Sequence, residues 1–427
     1  MLMYDIIDKK RQKFELSNDE IEWVVDEFCK GNVLNEQMSS LLMAIVLNGM
    51  NYRETYVLTK AMQKSGKTYK FDFDVVDKHS TGGVSDSTTL ILTPILALAG
   101  LKVAKMSGKS LGTTGGTIDK LTCFNGYNYN IDEKTFKENI KKVGASIIAQ
   151  TEDIALADKK IYALRDKTAT VKSIPLIASS IMSKKLACGS KILLLDVKYG
   201  KGALMENVKD AEELAKTMVR IGNMNGTKTW AILTNMNTPL AEGIGSALEI
   251  YSVVEAINGK NSILRKISIE IASYLYQMDK NCSIKEAKEK ICAIANNYEI
   301  VQNKLCEIVN VHGGNGDCIV DKNKLLRTKN VFEIKSSENG YVNKIDPLEL
   351  AKLVMILKDK ADDDKKQYQG ILLNISLNSF VSSGDLIAKV YSDTKIDDEF
   401  KNKLCEAIII KPKKCKEEKL IYKVIKK

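Results

Sequence analysis

Only two histidines occur in the chain, His79 and His312, too few beside scattered cysteines for a His/Cys zinc centre. The nine cysteines include no Cys-x-x-Cys pair, which argues against a disulfide framework and for reduced thiols in a cytoplasm. No apolar run is long enough to span a bilayer, and the longest, Leu90 to Ala99, is interrupted by Pro94. The opening residues, Met1-Leu2-Met3-Tyr4-Asp5, lack the basic-then-apolar order of a secretory signal. Two common nucleotide fingerprints are missing as well. Gly108-Lys109-Ser110 ends like a Walker A loop, but Val103 stands where its first glycine belongs. No Gly-x-Gly-x-x-Gly occurs anywhere.

What is present suits a globular chain of two or three domains: 427 residues, 44% hydrophobic and 28% charged. The formal charge of +10 invites a nucleic-acid reading. Its excess lysines are spread along helices and gathered in the tail from Lys411 to Lys427, without an aromatic-interleaved basic ladder. A solvated face that also attracts phosphate-bearing ligands is the better account. Neither nucleic acid nor membrane is expected as a partner.

Two stretches stand apart. Lys78-His79-Ser80-Thr81-Gly82-Gly83 and Ser107-Gly108-Lys109-Ser110-Leu111-Gly112-Thr113-Thr114-Gly115-Gly116-Thr117 each follow an apolar segment and lead toward a helix-like one. Strand, glycine loop and helix in that order turn backbone N–H groups toward an anion. Glycine permits close approach, hydroxyls donate, and Lys78 adds full charge. Glycine loops are also common as plain turns. Two of them, both dense in Ser, Thr and Lys, favour an oxyanion cradle for phosphate.

Residues 1–66 read as helices, with a capping box at Ser17-x-x-Glu20, a stop at Gly31, and further helices over Asn35 to Asn48 and Tyr52 to Lys64. From about 70 the rhythm changes. Strand-like runs at Val103 to Met106, Ser146 to Ala149, Ile192 to Val197 and Thr229 to Thr234 alternate with helical patterns near 87–99, 132–143, 207–224 and 240–256. That alternation predicts an α/β fold with a mostly parallel sheet, both glycine loops lying at its carboxyl edge. Residues 157–189 interrupt it with two helices, on which Tyr162 and Arg165 share one face and Ser180 and Lys184 another. Read alone, that is an ordinary charged surface with Arg165 paired to Asp158 or Asp166. Helices follow 260, and a β-rich portion follows Val331.

The same residues carry a resemblance. Asp77-Lys78-His79-Ser80-Thr81-Gly82-Gly83-Val84, Lys105-Met106-Ser107-Gly108 and Gly115-Gly116-Thr117-Ile118-Asp119-Lys120-Leu121 are similar to motifs of pyrimidine-nucleoside and thymidine phosphorylases. So are Asp158 to Asp166 and Ser173 to Lys185, and the likeness runs from about Met3 to the C-terminal region. It implies reversible phosphorolysis of uridine, thymidine and deoxyuridine to free base and (deoxy)ribose 1-phosphate, with inorganic phosphate as co-substrate and no cofactor. It implies a small discontinuous helical domain (1–66 and 157–189) for dimerisation and base binding, an α/β phosphate-binding domain (70–156 and 190–330) and a β-rich C-terminal domain (331–427). Carried onto matching positions, Lys78, Ser80, Thr89, Ser107 and Thr117 hold phosphate, and Tyr162, Arg165, Ser180 and Lys184 hold the base. His79, Arg165 and Lys184 serve catalysis. A purely structural His79 stays open.

Some residues depart from the family pattern. Ser85 replaces a usual glycine, Thr113 a frequent histidine, and Lys109-Ser110 a frequent Arg-Gly pair. Some relatives bind potassium between the first loop and the helix at 240–256. Ser85, Ser87 and Ser252 alter those positions, leaving a structural potassium open but against the residues present. Lys105, two positions before Ser107-Gly108, is the residue of broad pyrimidine enzymes; a lysine that merely snorkels to solvent is the alternative. The rival functions are a thymidine-restricted phosphorylase, a fold-related phosphoribosyltransferase and a non-enzymatic interaction protein.

Overall fold

A computed structural model describes residues 1–108, 115–151 and 153–426. Its centre is a six-stranded sheet in the order Ile421–Ile425, Lys228–Asn235, Ile192–Tyr199, Val76–Ser80, Val103–Ser107, Ala145–Ala149. The last five strands are parallel. Ile192–Tyr199 is buried along its whole length, as a strand covered by helices on both faces must be. All four strand-like runs seen in the sequence lie within these strands.

The helices of residues 3–64 form a bundle. Ser17 and Glu20 make the expected reciprocal cap, and Gly31 ends that helix at φ 86°, a left-handed conformation that glycine adopts without strain. The bundle core of Ile21, Val24, Phe28, Leu41, Ile45, Leu58 and Met62 is completed by Ala157 and Ile161 of Leu156–Lys167 and Leu176 of Ile174–Ala187. The same last helix turns Ile177, Ala178, Met182 and Leu186 toward Leu193 and Leu195 of the sheet. It therefore belongs to both cores. Nearby, the chain crossings are laced together: Lys67 N donates to Asp153 O at 2.7 Å and Tyr69 N to Ala187 O at 2.8 Å. Gly189 has φ +75° and lies where a Cβ would come within 2.2 Å of Tyr69 O.

Two features differ from expectation. The helix foreseen near 240–256 starts at Ser246, because Gly243–Ile244 forms a strand against Gly370–Leu373 and Gly245 turns the chain at φ 112°. Ile421–Ile425, assigned to a separate C-terminal domain, instead covers the central sheet, running antiparallel to Lys228–Asn235. That pairing satisfies backbone groups an open edge would leave exposed. The remaining C-terminal strands form a three-stranded sheet and, together with Gly243–Ile244, a four-stranded one.

The bundle holds one buried ion pair. Glu54, 1% exposed, accepts from Lys10 Nζ and Leu16 N at 2.9 Å each, and from Asn51 N at 2.9 Å. Removing the carboxylate strands a buried cation and an amide, so Glu54→Ala should cost about 3–5 kcal/mol of stability. Urea denaturation of the variant checks this; a loss below about 1 kcal/mol would mean the pair is not buried in solution.

Candidate active site

All ten residues singled out from the sequence line one cleft, of about 320 Å³, between the carboxyl edge of the sheet and the helices Leu156–Lys167 and Ile174–Ala187. Lys78, His79, Ser80 and Thr89 come from the first loop and the helix after it; Ser107 and Thr117 flank the second loop; Tyr162, Arg165, Ser180 and Lys184 face them. Lys109 to Thr114 lie outside the described residues, and with them the Lys109-Ser110 pair and Thr113.

Strand Val76–Ser80 sends alternate side chains to opposite faces. On one face Lys78 is 2% exposed, its ammonium 2.7 Å from Thr88 Oγ1, 3.1 Å from Asp196 and 3.7 Å from Asp86. Lys198, also buried, shares both carboxylates, at 2.7 Å from Asp196 and 3.7 Å from Asp86. Burial alone would raise the Asp86 carboxyl, but Lys198, Lys78 and the Ser80 and Thr88 hydroxyls hold it well below the usual range. On the other face Asp77 lies 2.9 Å from Lys185 and 3.6 Å from Lys105. Lys105 Nζ donates to Lys78 O at 2.5 Å and is 4% exposed, so the snorkelling alternative falls.

His79 Nε2 is buried without a hydrogen-bond partner among the described residues. Burial, with Lys185, Lys105, Lys78 and Lys184 nearby, drives its pKa well below the ordinary value. The ring is neutral at physiological pH: it can offer an N–H hydrogen bond, but it is not a standing acid.

Opposite, Lys184 Nζ donates to Asp158 Oδ2 at 2.6 Å and to Ser180 Oγ at 3.1 Å, with the Tyr162 ring centroid 5.8 Å away. Arg165 is not on a charged surface. It is 1% exposed and donates to three carbonyls, of Thr170 at 3.2 Å, Val171 at 2.8 Å and Leu176 at 3.0 Å. Ser85 Oγ donates to Gly243 O at 2.7 Å, Gly243 N donates to Ser252 Oγ at 3.0 Å, and Ser87 Oγ donates to Glu249 at 2.9 Å. Lys120 lies 2.7 Å from that same Glu249 oxygen. Gly243 O and the Glu249 carboxylate, which lie between the first loop and the helix Ser246–Ile257, are thus engaged by protein donors. Among the described residues no cluster of three or more His, Cys, Asp or Glu could hold a metal, and no helix is long and apolar enough to cross a membrane.

Residues 72–297 match the glycosyl transferase family α/β domain, and residues 4–66 that family's helical bundle domain. Along 99% of both chains the sequence is 39% identical to a pyrimidine-nucleoside phosphorylase of Geobacillus stearothermophilus. It is 40% identical over the full length of both chains to one of Staphylococcus epidermidis. The chain belongs to the pyrimidine-nucleoside phosphorylase family. An anthranilate phosphoribosyltransferase from Thermus thermophilus shares the fold, with a TM-score of 0.59 over 73% of this chain and all of that one, at 14% identity. Sequence reasoning gave no role to Asp77, Asp86, Lys185, Asp196 and Lys198, and read Asp158 only as a candidate partner of Arg165. The only signal was position: Asp77, Asp158 and Lys185 sit inside the quoted motifs, and Asp196 and Lys198 end an apolar run.

Burial, reinforced by Lys185 and Lys78, pushes the Lys105 pKa down to about 7 despite Asp77. A lysine depressed in the fold costs stability below that value, and the cost is relieved as pH rises toward the unfolded value of about 10.4. Measured against Lys105→Met, the native chain should therefore gain stability across that window in urea denaturation. A difference that stays flat with pH would show that Lys105 remains fully charged in the fold.

Proposed function

We propose that the chain carries out reversible phosphorolysis of pyrimidine nucleosides, uridine, thymidine and deoxyuridine, giving free base and pentose 1-phosphate. The observation that carries this reading is the single cleft in which hydroxyl- and lysine-bearing loops face a guanidinium, an ammonium and a tyrosine. A phosphate oxygen forms the new bond to C1 of the sugar as the C1–N1 bond breaks, and the bonding pair leaves on the base. No covalent enzyme intermediate is required. Positioning and electrostatics carry the step.

Lys78, Ser80, Thr89, Ser107 and Thr117 are assigned to phosphate. Tyr162, Arg165, Ser180 and Lys184 are assigned to the base, whose O2–N3–O4 edge offers acceptor, donor, acceptor. Arg165 and Lys184 stabilise the negative charge that builds there, and His79 lends an N–H from its neutral ring. The base residues sit on the helical units (1–66 and 157–189) and the phosphate residues on the α/β unit (70–156 and 190–330), which suggests closure of the cleft on substrate. Exposed Leu34, Met43 and Leu47 on and beside the helix Asn35–Asn48 support a homodimer through the bundle. All nine cysteines are free, in keeping with a cytoplasmic setting.

Release of uracil from uridine, dependent on phosphate and not on phosphoribosyl diphosphate, tests the reading. Lys184→Met removes a charged donor from the leaving base and should lower kcat/KM by about 3 kcal/mol with the fold intact; near-wild-type turnover would withdraw the base assignment. Lys105 points to broad specificity, with uridine and thymidine both cleaved and cytidine poorly. A kcat/KM for uridine more than about a thousandfold below that for thymidine, or about 4 kcal/mol, would make the enzyme thymidine-restricted.

A further inference from the structure

The phosphate side of the cleft contains a carboxylate, which is an odd occupant for an anion site. Asp86 lines the cleft between Lys78 and Ser80, and its hydrogen bonds are directed. Ser80 Oγ donates to Asp86 Oδ2 at 2.6 Å and accepts from Gly82 N at 3.2 Å. Thr88 Oγ1 donates to Asp86 Oδ1 at 2.6 Å while accepting from Lys78 Nζ at 2.7 Å. A hydroxyl has one hydrogen. Those of Ser80 and Thr88 are both spent on Asp86, so the lone pair that Ser80 has left is an acceptor. Beside it stands an ionised carboxylate, another acceptor.

We propose that Asp86 is a specificity-determining residue of the phosphate cradle, making it select a tetrahedral oxyanion that carries its own hydrogen. The proposal rests on the phosphate reading above. Somewhat above neutral pH phosphate is mainly HPO₄²⁻ and presents an O–H to Ser80 or Asp86. Sulfate has the same charge and shape but no hydrogen, so it sets lone pair against lone pair. A site built to receive a donor discriminates strongly against a ligand that lacks it.

The test compares four anions. Arsenate carries the hydrogen, as phosphate does; sulfate and monofluorophosphate are dianions without one. In phosphate-dependent uridine or thymidine cleavage, arsenate should replace or compete with phosphate, whereas sulfate and monofluorophosphate should compete about thirtyfold more weakly than arsenate. Sulfate within about threefold of arsenate would overturn the proposal. Asp86→Asn turns one acceptor into an amide donor, and should improve sulfate relative to arsenate by about tenfold; an unchanged ratio would also overturn it. If that variant does not fold, the wild-type ratio alone decides. Thermal shifts with the same anions read the ranking without catalysis. The ranking present without any nucleoside cleavage would remove phosphorolysis and keep the inference; cleavage without the ranking would do the reverse.

Discussion

Four lysine ammonium groups, of Lys78, Lys105, Lys185 and Lys198, are buried at the carboxyl edge of the central sheet, and three aspartates keep them there. A charge taken out of water is tolerated only when paired, and this requirement shapes the surroundings. Strand Val76–Ser80 must place Asp77 and Lys78 on opposite faces, one for each group. Strand Ile192–Tyr199 must end in Asp196 and Lys198. Lys185 arrives from the helix Ile174–Ala187, so its 2.9 Å contact with Asp77 also fastens the helical side of the cleft to the sheet.

Four lysines against Asp77, Asp86 and Asp196 leave an excess of positive charge on the loop side when Lys105, whose pKa burial pushes down to about 7, is protonated. Lys184 and Arg165 against Asp158 leave another on the helical side. Two such excesses, set on largely buried side chains on either wall of a cleft, are screened less than they would be at the open surface. The arrangement suits a reaction that begins with a dianion at one wall and ends with negative charge growing at the other. The carboxylates anchor and aim the lysines, while leaving room for a ligand to complete the balance.

Four strands of the central sheet and the capped helices were legible in the sequence because each rests on local pattern, apolar runs and Ser17-x-x-Glu20, and the glycine loops pointed to an anion cradle. Tyr162, Arg165, Ser180 and Lys184 read alone as an ordinary charged surface and were singled out only by the family resemblance. The pairing of charges was not legible. Nothing within a few residues of Asp77 shows that it meets Lys185, 108 positions away, and Asp158, read as a candidate partner of Arg165, pairs with Lys184 instead. The edge strand Ile421–Ile425 was hidden by the lysines around it, whose charge reads as a solvated tail. Gly243–Ile244 was too short to interrupt a helical pattern. In each case the deciding partner lies far off in the chain, where periodicity is blind.

Arg165 has a consequence of another kind. Its guanidinium lines the cleft and also gathers the carbonyls of Thr170, Val171 and Leu176, so one side chain both folds the turn between two helices and forms part of the cleft wall. Such a position cannot drift. A substitution that reshapes this part of the cleft wall also releases the turn, and a selection for altered substrates would read that as loss of expression. Directed evolution of the pocket has its freedom elsewhere, at Tyr162, which is half-buried and makes no such backbone bonds among the described contacts.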